Sequence, residues 1–165
     1  MPSKAEIEAS FWKALKSDRT LMLGLEGIPG GESQPMTAML DADSEGRGPI
    51  WFFTAKDNGL VAAMKKGAAA QAQFVSKDHE VFATITGTLV PDDDKLTITR
   101  LWNPFVAAWF PGGKDDPKLQ LIRLDAEEAQ IWLNENSLFA GIRMLLGSDP
   151  KKDYKDKVAT VSLDD

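Results

Sequence analysis

The chain has no cysteine and one histidine in 165 residues. Absence of cysteine excludes disulfides, thiolate chemistry and cysteine-ligated zinc or iron–sulfur sites, and fits a reducing compartment. With His79 alone, a histidine-based metal site would need carboxylates for all its other protein ligands, so no metal is expected. No apolar run approaches the roughly 20 residues that cross a bilayer, and the N-terminal Met1-Pro2-Ser3-Lys4-Ala5-Glu6 lacks the apolar stretch of a signal peptide. The expected location is the cytoplasm, with no membrane partner. Basic residues are outnumbered, 19 against 25, for a formal charge of −6, which disfavours nucleic acid as a partner. No Gly-x-Ser-x-Gly elbow, Walker-type loop or Gly-x-Gly-x-x-Gly helix opening is present, so serine hydrolases and the common nucleotide folds lose their signatures.

What is present is a core-forming chain. Hydrophobic residues make up 43% of it, enough for one domain with a substantial core. We read residues 1–165 as a single domain, with its core over about 8–147 and a charged C-terminal extension over 148–165. Ser3-x-x-Glu6 is a capping box, and Ile7, Phe11 and Leu15 at helical spacing predict a helix over 4–16. Strands are expected at 20–25, 34–40, 49–54, 70–75 and 81–90, with Gly87 marking a bulge or a close backbone approach. Two further strands are expected at 118–124 and 129–133, and an edge strand at 158–163. Helices are expected over about 58–66, near 105–110, over 137–146 and, weakly patterned, from Pro91–Asp94 onward. Strands in hairpin-like order with a few short helices argue an α+β chain, mainly β, built as a β-barrel decorated by helices.

The segment Ile50-Trp-Phe-Phe-Thr-Ala-Lys-Asp-Asn-Gly59 reads as an apolar strand feeding a helix N-terminus near Asn58. Such a junction offers backbone N–H groups and a positive dipole end to a phosphate, beside an aromatic strand suited to a flat ring. Strand-to-helix turns capped by Asp or Asn are also ordinary in α+β proteins, so both readings stand. Trp102, Trp109 and Phe110 surround Asn103-Pro104 and Pro111, and Trp132 falls in a late strand. They suit core or interface packing and equally the walls of a slot for a flat ring. His79 in Ser76-Lys-Asp-His79 reads as an exposed turn residue or as a general base.

Four segments carry a resemblance: Gln34-Pro-Met-Thr-Ala38, Trp51-Phe-Phe-Thr54 with its helix, Ala83-Thr-Ile-Thr-Gly87, and Leu101-Trp-Asn-Pro104 through Ala108-Trp-Phe-Pro111. Leu121-Ile-Arg-Leu124 and Gln130-Ile-Trp132 match paired final strands. The chain resembles the general stress branch of the pyridoxamine-phosphate-oxidase-like, FMN-binding split-barrel superfamily. The resemblance implies a six- to seven-stranded split barrel with flanking helices and a homodimer with FMN at its interface, FAD being a second option. It implies a flavin-dependent oxidoreductase or flavin reductase, with NAD(P)H or a small electron acceptor as partner; the alternative is a carrier or sensor without efficient turnover. Pro35, Met36 and Thr37, preceded by Gln34, would flank the ring. Phe53 and Thr54 would touch the flavin and its ribityl chain, and the turn over 56–60, with Lys56 and Asn58, would hold the phosphate. Trp132, with Trp102 and Trp109 as further walls, stands where related oxidases contact FMN. No catalytic side chain stands out. Many relatives carry Arg where this chain has Gln34, and Ser followed by Lys or Arg where it has Asn58-Gly-Leu60. A true pyridoxamine-phosphate oxidase would carry Arg-x-His after Trp132; here no histidine follows His79, so that activity is not expected.

Overall fold

The computed structural model describes residues 2–41, 47–134 and 157–163. The first helix, α1 (Lys4–Asp18), begins at Ser3, whose hydroxyl accepts the Glu6 N–H at 3.1 Å. Its buried face carries Ile7, Phe11, Trp12 and Leu15, and Phe11 meets Phe74 edge-on at 6.3 Å.

Seven antiparallel strands follow: β1 (Thr20–Leu25), β2 (Gln34–Thr37), β3 (Ile50–Ala55), β4 (Ala68–Val75), β5 (Val81–Asp92), β6 (Leu119–Leu133) and β7 (Val158–Ser162). The sheet runs β2-β1-β4-β5-β6-β3, with β7 also on β6. Their alternation is that of strands with one face in a core. In β5, Val81, Ala83, Ile85 and Leu89 point inward and Phe82, Thr84 and Thr86 outward.

The two strands expected at 118–124 and 129–133 are one. Asp125-Ala-Glu-Glu128 has the polarity of a turn, yet β6 runs through it. The register with β5 shifts by one residue between Thr86 and Gly87, and a Cβ on Gly87 would collide with the Asp125 carbonyl. The expected close approach at Gly87 is therefore a bulge that lets a 15-residue strand bend without breaking. One edge of β6 pairs along β5. The other pairs with β3 through residues 119–124 and with β7 through residues 128–132.

The weak helical signal at 91–94 also shifts. Pro91 and Asp92 finish β5, and Asp94 caps α3 (Lys95–Leu101). Three more short elements follow in the outer layer or beside the sheet: α2 (Gly59–Met64), α4 (Pro104–Trp109) and a 3-10 turn at Gly113–Asp115. The helix expected over 137–146 lies outside the described residues.

Two cores result. The larger fills the barrel with Leu23, Ile50, Phe52, Phe74, Ile85, Ile122 and Leu124, closed by α1. The smaller lies on the outer face of β3 and β6, where Trp51 and Leu121 pack under Ile98, Leu101 and Val106 of α3 and α4. The fold is α+β, mainly β: an open, seven-stranded split barrel with flanking helices. No helix among the described residues is long and apolar enough to cross a membrane.

Candidate functional site

The split is the free space between β2 and β3, the two end strands of the sheet's main path. β2 pairs only with β1 and β3 only with β6. Among the described residues a single bridge ties them, where Met39 N–H donates to the Trp51 carbonyl at 2.7 Å and Trp51 N–H returns to Met39 at 3.0 Å. Beyond that bridge no ladder forms between them.

Backbone N–H and C=O groups alternate sides along a strand. Trp51 faces β2, so Phe53 and Ala55 do too. Met39 faces β3, so Thr37 does as well. Two neighbouring bonds agree with this parity, since Ala38 N–H donates to Arg19 on the β1 side and Lys56 N–H to Lys118 on the β6 side. The N–H groups of Thr37, Phe53 and Ala55 therefore look into the split with no strand opposite them. Unpaired edges of this kind ordinarily invite a strand or a ligand.

A cavity of about 420 Å³ occupies this space, within the usual range for small-molecule sites. β2 contributes Pro35, Met36 and Thr37; β3 contributes Phe53, Thr54 and Ala55; α4 covers it with Phe105, Val106 and Trp109. Asn103 fixes α4 by accepting the Val106 N–H at 2.9 Å, with Pro104 at the first turn where no amide is needed. Phe105 and Trp109 stay 64% and 73% exposed, so the apolar wall is open to solvent. Trp102 stands behind it, edge-on to Phe53 at 5.8 Å. No lining residue of this cavity is titratable. Asp94 holds the neighbouring helix α3: its carboxylate accepts from Thr97 Oγ1 at 2.7 Å, and this bond first of all holds its pKa below the ordinary carboxylate value.

Seven of the residues read from the sequence thus meet in one cavity: Pro35, Met36, Thr37, Phe53, Thr54, Trp109 and Phe110. Gln34 and Asn58 lie at its end, bonded to each other: Gln34 Nε2 donates to Asn58 Oδ1 at 3.1 Å and Asn58 Nδ2 to Gln34 Oε1 at 2.7 Å. Asn58 Oδ1 also accepts the Leu60 N–H, capping α2. Lys56 lines another cavity, of about 290 Å³, among Asp93, Lys95, Lys114 and Asp116. Trp132 lies apart, on the outward face of the sheet. It belongs to a cross-strand row, Val75–Phe82–Trp132–Val158, and most of this row lines a third cavity of about 450 Å³ with Thr84 and Asn134. Sequence reading overlooked Thr20, Met39, Ala55, Phe105 and Val106. Phe105 carried the one available signal, an aromatic beside Trp109 on a short helix.

Comparison with known proteins agrees with this architecture. The model of the pyridoxamine 5'-phosphate oxidase like family matches residues 6–154. A search of the curated proteins finds no match to the chain. Among solved structures, a protein described as of the general stress family from Xanthomonas campestris pv. campestris is 55% identical, over 84% of this chain and 94% of its own, with a TM-score of 0.76. The general stress FMN/FAD binding protein from Xanthomonas citri is also 55% identical, over 82% of this chain and 94% of its own, at a TM-score of 0.76. General stress protein 26 from Jannaschia sp. CCS1 is 28% identical over 96% of this chain and 99% of its own, at 0.74. The family match takes in β1 to β6, both edges of the split and the helices over it, leaving out only β7 among the strands, and we conclude that the chain belongs to the pyridoxamine 5'-phosphate oxidase-like family, in its general stress protein branch.

Proposed function

We propose that this protein binds a flavin in the split between β2 and β3, FMN in preference to FAD, as a cytoplasmic general stress protein. The observation that carries the reading is the split itself. Two open strand edges present backbone donors and acceptors to one space, and aromatic side chains line it. A flat heterocycle with an imide edge meets both demands, because its N–H and C=O groups replace the missing strand and its faces cover Phe53 and Trp109. The relative from Xanthomonas citri, described as FMN/FAD binding, supports the same ligand class. For the phosphate, Lys56 is the cation just past the end of β3, one residue beyond the cavity wall.

A homodimer would complete the site. One chain leaves two apolar areas open, the α4 wall and the Val75–Phe82–Trp132 row. In a two-fold dimer the row of one copy would cover the wall of the other, twice over, which would bring the partner copy's Trp132 to the ring.

When bound, a flavin supplies the electron transfer, and the protein contributes orientation and exclusion of water. The activity we favour is a flavin-dependent oxidoreductase or flavin reductase fed by NAD(P)H. The absence of any titratable lining residue favours a second reading, a carrier or sensor without efficient turnover. Anaerobic mixing of the flavin-loaded protein with NADH or NADPH separates them. Fast, saturable bleaching of the flavin is expected of the oxidoreductase; a flavin that stays oxidised identifies the carrier.

A further inference from the structure

The split is held at two points, and they are of different kinds. At one end the Met39–Trp51 bridge is backbone to backbone, and Trp51 is fixed further by the Arg100 guanidinium 5.5 Å from its ring centroid. At the other end no backbone bridge exists. There the two amides of Gln34 and Asn58 exchange hydrogen bonds across 24 residues of sequence. Both cavity walls lie between these fasteners: residues 35–37 between Gln34 and Met39, and residues 53–55 between Trp51 and Asn58. Asn58 is itself immobilised, since Oδ1 accepts Leu60 N–H at 2.9 Å and its own N–H donates to Ala55 at 2.9 Å. The amide pair therefore couples the start of β2 to the end of β3 through a rigid capped turn.

We propose that Gln34 and Asn58 form a positioning clasp that sets the width of the split, and so controls flavin affinity without touching the phosphate. This rests on the flavin reading above. Neither residue is among those lining the cavity. Each amide already holds the other: Gln34 Nε2 donates to Asn58 Oδ1, Asn58 Nδ2 donates to Gln34 Oε1, and Asn58 Oδ1 also accepts the Leu60 N–H, which leaves one N–H on each amide nitrogen outside the clasp. Opening the clasp would let the β2 edge drift from β3 while the Met39–Trp51 end stays closed. A planar ligand bonded to both edges would then lose one of them.

Two neutral variants isolate the clasp. Gln34→Met keeps length and apolar reach, removes both inter-amide bonds and leaves the Asn58 cap in place. Asn58→Ser keeps a capping oxygen for Leu60 but is too short to reach Gln34. Binding of riboflavin and of FMN is titrated for the wild type, each single variant and the double variant, alongside thermal unfolding of the apo-proteins. The clasp predicts roughly tenfold weaker binding of both flavins in each single variant, the worth of two modest hydrogen bonds. It further predicts that the double variant is no weaker than the poorer single, because one clasp can be opened only once. Should Gln34→Met fail to fold, Asn58→Ser carries the same comparison of riboflavin with FMN. Loss of FMN with riboflavin untouched would overturn the clasp and make Asn58 a phosphate contact. Multiplying losses in the double variant, or no loss in either single, would overturn it equally. A wild-type protein that takes up neither flavin overturns the flavin reading itself and the clasp with it; the wild-type arm thereby tells the two failures apart.

Discussion

At the scale of single residues, the exposed aromatics of α4 are the least expected feature. Phe105 and Trp109 have little to do in the folded monomer: they sit at 64% and 73% exposure on a helix whose buried anchor is Val106. An exposed tryptophan that fills no core should be removable at little cost. We expect Trp109→Ala to alter stability by no more than about 0.5 kcal/mol. The same change removes an aromatic wall of the cavity. If its contact with the ring contributes about 1 kcal/mol, flavin binding weakens roughly fivefold. Thermal unfolding of the apo-protein and a fluorescence titration with FMN check the pair of outcomes together. A stability loss as large as the binding loss would assign Trp109 to packing. Residue type and neighbourhood were legible in the sequence here, since Trp109 beside Pro104 and Pro111 pointed to a wall. Exposure was not, because it depends on where α4 lands on β3. Trp132 makes the same point in reverse. Its residue type suggested a ring contact, while its parity on β6, one step from the buried Ile131, turns it to the outside of the sheet.

At the scale of elements, the caps and periodic faces could be read locally and the long pairings could not. Ser3 and Glu6 announce α1, and the observed cap bond is the one expected. The polar run 125–128 misled because its turn-like composition is overruled by pairing along β5, with the one-residue shift at Gly87 absorbing the bend. A split was implied by the resemblance, but its place could not be read from the strands for a related reason: β2 and β3 each read as an ordinary strand, and only the order of the whole sheet shows that neither has a second neighbour there. The outer helices carry a pH dependence. Asp94 caps α3, and its pKa is held below the ordinary carboxylate value mainly by the Thr97 hydroxyl, with backbone N–H groups of Leu96 and Thr97 adding to it. A carboxyl group whose folded pKa is depressed stabilises the fold above its unfolded pKa and loses that contribution as pH falls through the folded value. The α3 cap should therefore be intact through neutral and mildly acid pH and be lost only below the ordinary Asp range. Hydrogen exchange of the α3 amides against pH tests this. Asp94→Asn, which caps without titrating, should flatten the Asp94 part of the profile; an unchanged profile would place the acid sensitivity elsewhere, for example at Asp78 or Asp116, whose pKa values are also lowered.

At the scale of the whole molecule, the chain closes its core well and its functional surfaces poorly. The barrel is filled and α1 seals it, yet an open split, an exposed α4 and an outward aromatic row remain. These surfaces account for one another if two copies meet. We expect sedimentation of the flavin-loaded protein at micromolar concentration to give two chains per particle, and Trp132→Ala to weaken flavin binding although Trp132 lies outside its own chain's cavity. A monomer that binds flavin tightly would remove the dimer from the account and leave the split to act alone. The central claim is simpler and open to direct measurement: the split between β2 and β3 is a flavin site. The most direct test is the visible spectrum of FMN, with tryptophan fluorescence, as apo-protein is added. Occupation of the split predicts perturbed flavin bands and quenched tryptophan emission, saturating at equal numbers of flavins and chains, with Trp109→Ala reducing the quench. An FMN spectrum that stays that of the free cofactor throughout the titration would contradict the account.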